Sequence, residues 1–252
     1  MKFKGITIFL LLIFSLCKAQ TTELNSLSER FLEKIIKGED TQQIQQQLAN
    51  IELEELSTKL KTDTQKLAFW VNIYNAYIQV ILNKNPELYE NRSDFFSKDQ
   101  ITIAKNEISF DKIEHGIIRR SQSKIGLGYV KKGFPDKLEK LLRVENQDYR
   151  IHFALNCGAK DCPPVGIYSP TKLNTQFAKS TELFLRSSSK YDAIENKVYV
   201  TSLFSWFRGD FGGKDGTREI LKEQGIIPNT DGVAIDYKDY DWTLALDNFI
   251  EL

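Results

Sequence analysis

Changes in apolar spacing divide the chain. Residues 6–16 are an almost unbroken apolar run, set behind Lys2 and Lys4 and followed by the small residue Ala19. Basic, then apolar, then small is the layout of a cleavable secretory leader. The run falls well short of the roughly 20 apolar residues a bilayer-spanning helix needs. Residues 24–60 are polar and charged with spaced Leu and Ile. They predict two outer amphipathic helices, broken at Gly38-Glu39-Asp40-Thr41, the first opened by a Ser26…Glu29 capping box. From 64 to 83 the pattern changes again. At 100° per residue Leu67, Trp70, Val71, Tyr74, Tyr77, Ile78 and Ile81 fill one broad face. Phe69, Ile73 and Val80 carry the apolar cover nearly all round, leaving a narrow strip of Asn72, Asn75 and Gln79. A helix apolar on most sides is a central, buried one. Asp63 or Thr64 caps it and Asn85-Pro86 ends it.

The rest alternates short elements. Residues 101–110 predict a hairpin around Lys105-Asn106, and a short helix starts at Asp111. A Gly-containing loop follows over 126–135, then a short helix over 136–143. Residues 151–155 read as a buried strand left at Cys157-Gly158, and Pro163-Pro164 forbids an immediate helix. Residues 171–186 and 216–224 read as helices, 191–201 as a hairpin, 204–211 as an aromatic cluster and 241–246 as a last strand. The sum is an α+β fold: a helix-rich single domain whose central buried helix packs on a small, mostly antiparallel sheet. The expected organisation is a leader over 1–19, a helical extension over 20–62 and one globular domain over 63–252.

Charge narrows the function classes. The whole chain balances 34 basic against 34 acidic residues. Loss of the leader removes Lys2, Lys4 and Lys18 and no acid, leaving 31 against 34, a net of −3. Such a chain lacks the basic footprint of a nucleic-acid binder. No later segment approaches transmembrane length, so the expected product is exported, to the periplasm or beyond the cell. No phosphate-binding glycine loop and no Gly-x-Ser-x-Gly elbow appears, and the residues ask for no cofactor. They name no partner and no oligomeric state.

Candidate chemistry gathers in scarce residues. Without the leader the chain holds two cysteines, Cys157 and Cys162, and two histidines, His115 and His152. Cys157 can be a nucleophile, with His152 or His115 as its base. On an ideal strand His152 and Cys157 face opposite ways, so they meet only if the chain turns sharply at Asn156-Cys157-Gly158. Alternatively, Cys157 and Cys162 form a structural disulfide across a short loop, which suits an oxidising compartment. A redox-active pair and a zinc site are weaker matches, because neither Cys-x-x-Cys nor His-x₃-His spacing is present. Asn72 and Asn75 must be hydrogen-bonded in a buried network, or serve a site as oxyanion donors or orienters. Glu114 and Asp111 are carboxylates that can orient an imidazole, although adjacency alone does not bring Glu114 to His115. Arg150, Arg119 and Asp210 suggest an internal Arg–Asp pair.

Four motifs carry a resemblance. They are Trp70-x-Asn72-x-Tyr74-Asn75, Asp111-x-x-Glu114-His115-x-Ile117-x-Arg119, Arg150-Ile151-His152 through Cys157-Gly158 to Cys162-Pro163-Pro164, and Trp206-Phe207-x-x-Asp210-Phe211. In this order, over residues 66–211, the chain resembles the domain-of-unknown-function 547 family. The resemblance implies a shared fold and a shared candidate site, and imports no reaction. Two functional classes follow. One is a thiol hydrolase or transferase acting on acyl or peptide-like bonds. The other is a non-catalytic envelope module with Cys157 and Cys162 bridged.

Overall fold

The structure, a computed structural model, describes residues 21–252. The expected leader lies outside the described residues. Helices α1 (Glu23–Ile36), α2 (Gln42–Asn50) and α3 (Leu53–Lys59) precede the long α4 (Asp63–Lys84). The region read as two helices is three, because Ile51-Glu52 breaks it a second time. The caps also differ from expectation. Thr22 caps α1, with Asn25 reaching back to it, and Thr62 caps α4, with Gln65 reaching back. In both, an earlier threonine with an amide three residues on satisfies the first free N–H groups.

α4 is the centre of the domain. Trp70, Val71, Ile73, Ile78 and Leu82 are fully buried, as are the three amides Asn72, Asn75 and Gln79. α1 lies along it through Phe31, which meets the Tyr77 ring edge-on at 5.2 Å. After α5 (Arg92–Ser97), β1 (Ile101–Ile103) and β2 (Asn106–Ile108) form the expected antiparallel hairpin. Its turn residues Ala104 and Lys105 both have positive φ, the geometry that matches strand twist. Ile101, Ile103 and Ile108 join the core of α4.

The second half builds another core. α6 (Lys137–Leu142) and α7 (Leu173–Ser188) are followed by β3 (Lys190–Asp192), β4 (Lys197–Val200), α8 (Leu203–Trp206), α9 (Gly213–Glu223) and β5 (Ala234–Tyr237). β4 is the middle strand, antiparallel to β3 (Tyr191 opposite Val198) and parallel to β5 (Val198 opposite Ile235). Phe153, Phe204, Phe211, Val200 and Leu221 pack beneath this sheet and α9. The result is a helix-rich α+β single domain.

Two strand expectations are corrected. Tyr149–Phe153 is a 3₁₀ turn. Asp148 accepts from the Arg150 N–H and caps it, and a short apolar run does not by itself separate a strand from a buried turn. Residues 241–246 are extended and bond to the Gly158–Asp161 turn, but their only bridge pairing is an isolated one, Ala159 with Leu244, so they form no strand of a sheet. The last strand, β5, lies earlier.

Candidate functional site

A cavity of about 250 Å³ opens where the two cores meet. Leu155 and Cys162 wall it from the first core, Leu203, Trp206 and Phe207 from the second, and Tyr240 packs on both. Its polar floor comes from a π-helical turn, Lys112–Ile118, that begins just after Asp111. The wide turn brings Asp111, Glu114 and His115 to the cavity and carries Arg119 inward, where it is almost fully buried.

Arg119 organises the titratable groups. Its Nε donates to Asp210 Oδ2 at 2.7 Å and its Nη2 to Asp210 Oδ1 at 3.1 Å. The internal Arg–Asp pair is therefore Arg119–Asp210, whereas Arg150 pairs locally with Asp148 at 2.5 Å. Arg119 Nη1 also lies 2.7 Å from His115 Nδ1. A guanidinium only donates, so His115 Nδ1 accepts, and the ring is neutral with its proton on Nε2. Asp210 Oδ2 in turn takes a 2.8 Å hydrogen bond from His152 Nε2. Burial would raise the Asp210 carboxyl, but hydrogen bonds from His152 and Arg119 overturn that and bring it to about 2.

His152 is the base-like group of the site. Burial pushes its pKa down, the Asp210 hydrogen bond opposes, and the Arg119 charge adds to the lowering. The ring is neutral near pH 7 with its proton on Nε2, facing Asp210. Nδ1 then carries a lone pair with no partner among the described residues, and the ring borders the cavity. Phe207 stacks on it at 4.0 Å and fixes its plane.

The acids differ in their partners. Asp111 takes a 2.6 Å hydrogen bond from Lys124 and stands 3.6 Å from His115 Nε2. Burial works to raise its pKa, and contacts with His115 and Lys124 outweigh it, so the net direction is down. Glu114 is 3.6 Å from His115 Nδ1, too long for a hydrogen bond, and no described residue donates to it.

Cys157 and Cys162 are joined by a disulfide. Gly158, at φ +86°, makes the sharp turn that leaves Cys157 at the cavity wall. The Cys157 N–H points at Cys162 Sγ (3.0 Å), and the Tyr240 hydroxyl donates to the same sulfur at 3.2 Å. The free Cys157 nucleophile expected as one alternative is absent from this bridged form, since a disulfide sulfur carries no thiol proton to give up. His152 and Cys157 border one cavity despite their sequence parity, because His152 lies on a 3₁₀ turn that ends at Phe153 and not on a strand running to Cys157. The four Cys and His side chains do not converge on a metal: the sulfurs bond each other, and the imidazoles bond Asp210 and Arg119.

Asn72 and Asn75 lie outside the cavity. Asn72 Nδ2 donates to the Tyr168 carbonyl (2.8 Å) while its Oδ1 accepts from the Tyr168 N–H (2.9 Å). Asn75 likewise donates to the Ala154 carbonyl (2.9 Å) and accepts from the Asn156 N–H (2.8 Å). Both amides are spent on backbone, so neither serves as an oxyanion donor or histidine orienter. They stitch two loops to α4. The orienter is Asp210.

Sequence reasoning missed the aromatic wall. Trp206, Tyr240 and Trp242 pack together with ring centroids 4.8–5.4 Å apart. The signal was present in the dense aromatic and acidic run from Tyr237 to Trp242, which reads equally well as a strand.

Residues 57–185 match the family described as "Protein of unknown function, DUF547", just over half of the chain, and the chain belongs to that family. No curated protein and no solved structure matches. The matched stretch holds Cys157, Cys162, both histidines, Glu114 and Arg119. Asp210 and the aromatic wall come from beyond it.

Proposed function

We propose that the protein is an exported binding module whose cavity holds a small ligand, or a chain end, with a cationic head on an apolar body. Glu114 carries this reading. Its carboxylate is mostly buried, borders the cavity and has no donor among the described residues. Lys124 offsets Asp111, and both imidazoles are neutral, so Glu114 leaves the cavity with an unmatched negative charge. An unpaired carboxylate in low-dielectric surroundings gains from a bound cation. The walls of Trp206, Phe207, Tyr240 and Trp242 add cation–π attraction of about 0.5–2 kcal/mol. The Cys157–Cys162 bridge is then a fixed part of the wall.

Titration of the oxidised protein with 2-phenylethylammonium and with neutral 2-phenylethanol tests this. The ammonium is expected to bind about tenfold more tightly or better, and Glu114→Gln to erase the difference. Equal affinities, or a difference that survives Glu114→Gln, would overturn the reading.

The Asp210–His152 dyad favours a second reading, a thiol hydrolase or transferase. An external dithiol would supply two electrons and two protons to open the bridge. His152 Nδ1 would take the Cys157 proton, and the thiolate would add to an acyl carbonyl. The amine or alcohol would leave with that proton, and water would then free the acid. This reading expects reduced protein, and not oxidised protein, to cleave an activated thioester, with activity lost in Cys157→Ser.

A further inference from the structure

The largest exposed apolar feature among the described residues is a single loop. Ile125 is 85% exposed, Leu127 44%, Tyr129 61%, Val130 52% and Phe134 95%. Elsewhere in the described chain, large exposed apolar side chains occur singly, which is ordinary for a folded surface. Five within ten residues form a patch of the kind that marks an interaction site.

The loop is held in place. Gln122 pairs with Lys131 at its base, Ser123 N–H donates to Val130 O at 2.8 Å, and Tyr129 N–H to Gly126 O at 2.9 Å. Gly209 N–H donates to Leu127 O at 2.6 Å. A side chain at Gly128 would strike Asp210 Oδ1, at 2.4 Å, so only glycine lets the loop seat here. Leu127 sits at φ +55°, a conformation that costs a β-carbon-bearing residue about 1 kcal/mol. The fold keeps that cost and still turns the Leu127 side chain outward.

Charge indicates what the loop meets. From 123 to 135 the charged residues are Lys124, Lys131 and Lys132, with no acid among them. Lys124 and Lys132 are paired to Asp111 and Glu139. Lys131, and Lys137 and Lys140 just beyond, are exposed and make no ion pair among the described residues. Apolar tips that project almost completely, interleaved with unpaired lysines, suit a fluid apolar phase under anionic headgroups. A side chain as exposed as Phe134, at 95%, projects into solvent instead of lining the shaped groove that a folded partner would fill.

We infer that the 124–134 loop docks the protein on an anionic lipid surface, with Ile125, Tyr129 and Phe134 entering the interface and Lys131 and Lys137 meeting headgroups. No helix among the described residues is long and apolar enough to cross a membrane, and the contact made by this loop is with the lipid surface. The loop packs on Asp210 and its Lys124 borders the cavity, so docking brings the cavity close to the lipid.

Co-sedimentation of the full chain with vesicles of phosphatidylglycerol and phosphatidylcholine, against phosphatidylcholine alone, tests the inference. The protein is expected on the anionic vesicles and released by salt. The Ile125→Ser/Phe134→Ser variant is expected to bind at least about tenfold more weakly, as is Lys131→Glu/Lys137→Glu. These positions are exposed, and unchanged thermal melts will confirm that the variants fold. In Phe134→Trp, the indole emission is expected to shift blue on vesicle binding. No binding of the unaltered protein to anionic vesicles, or binding that the serine variant leaves unchanged, would overturn the inference, and the surface would then be a protein-docking one. None of these readouts depends on what the cavity binds.

Discussion

At the residue scale the site is a chain of donors and acceptors, from His115 through Arg119 to Asp210 and His152. Asp210 is its junction, and Asp210→Asn would leave a buried guanidinium half-paired. The expected cost is about 3–5 kcal/mol in denaturant unfolding. The same groups set a pH dependence. His152 has a folded pKa below its unfolded value, and so does Asp210. In each case the unfolded chain binds the extra proton, so the stability contribution is full at higher pH and is lost as pH falls. The His152 loss begins below about pH 6.5, and the Asp210 loss runs from about pH 4 down toward 2. Thermal melts between pH 7 and 5 should show the first step, and His152→Gln should lack it. An identical slope in the variant would assign the step to another group. The participants were legible as scarce residues in fixed motifs. An Arg–Asp pair was legible too, but not which arginine makes it, since Arg119 and Asp210 lie far apart in sequence and only the fold brings the guanidinium to the carboxylate.

At the element scale α4 was the most legible feature, because an apolar cover that runs nearly all round a helix admits few other readings. Its polar strip was legible as a problem, three amides needing partners, and the structure supplies backbone loops as the partners. Asn75→Leu would orphan the Ala154 carbonyl and the Asn156 N–H, both on buried residues. At about 1–3 kcal/mol for each orphaned group, a loss of about 2–6 kcal/mol is expected in denaturant unfolding. A loss under 1 kcal/mol would mean that the loop finds other partners. The 3₁₀ turn bearing His152 was misread for a physical reason. Five residues with a buried apolar core fit a strand and a tight turn equally, and what decides is the Asp148 cap and the packing on α7. The Ser180 hydroxyl there donates to the Phe153 carbonyl.

At the scale of the whole molecule, the cavity depends on distant stretches of chain. The last residues strap the Pro163–Pro164 turn, as Val165 N–H donates to Asn248 O (2.7 Å) and Ile250 N–H to Val165 O (3.0 Å). Leu252 packs over Gly166. Deleting residues 248–252 is expected to speed hydrogen exchange at Val165 and to cost about 2–3 kcal/mol, from two orphaned buried backbone groups and an uncovered apolar contact. Unchanged exchange would show that the strap is dispensable. Such long-range closure leaves little trace in local spacing, which is why the aromatic wall and the strap were the least legible parts of the molecule. The bridge works at the same scale: it joins the turn after His152 to the strapped loop, and Tyr240 rests on its sulfur.

The state of that bridge decides between a fixed binding wall and a thiol site. Intact mass after iodoacetamide treatment, on protein lacking residues 1–19 (and so Cys17) and purified without reductant, measures it directly. No label is expected on native or denatured oxidised protein, and two labels are expected after reduction and denaturation. Rapid single labelling of Cys157 in the unreduced native protein, well below the ordinary thiol pKa of about 8.5, would contradict the bridge.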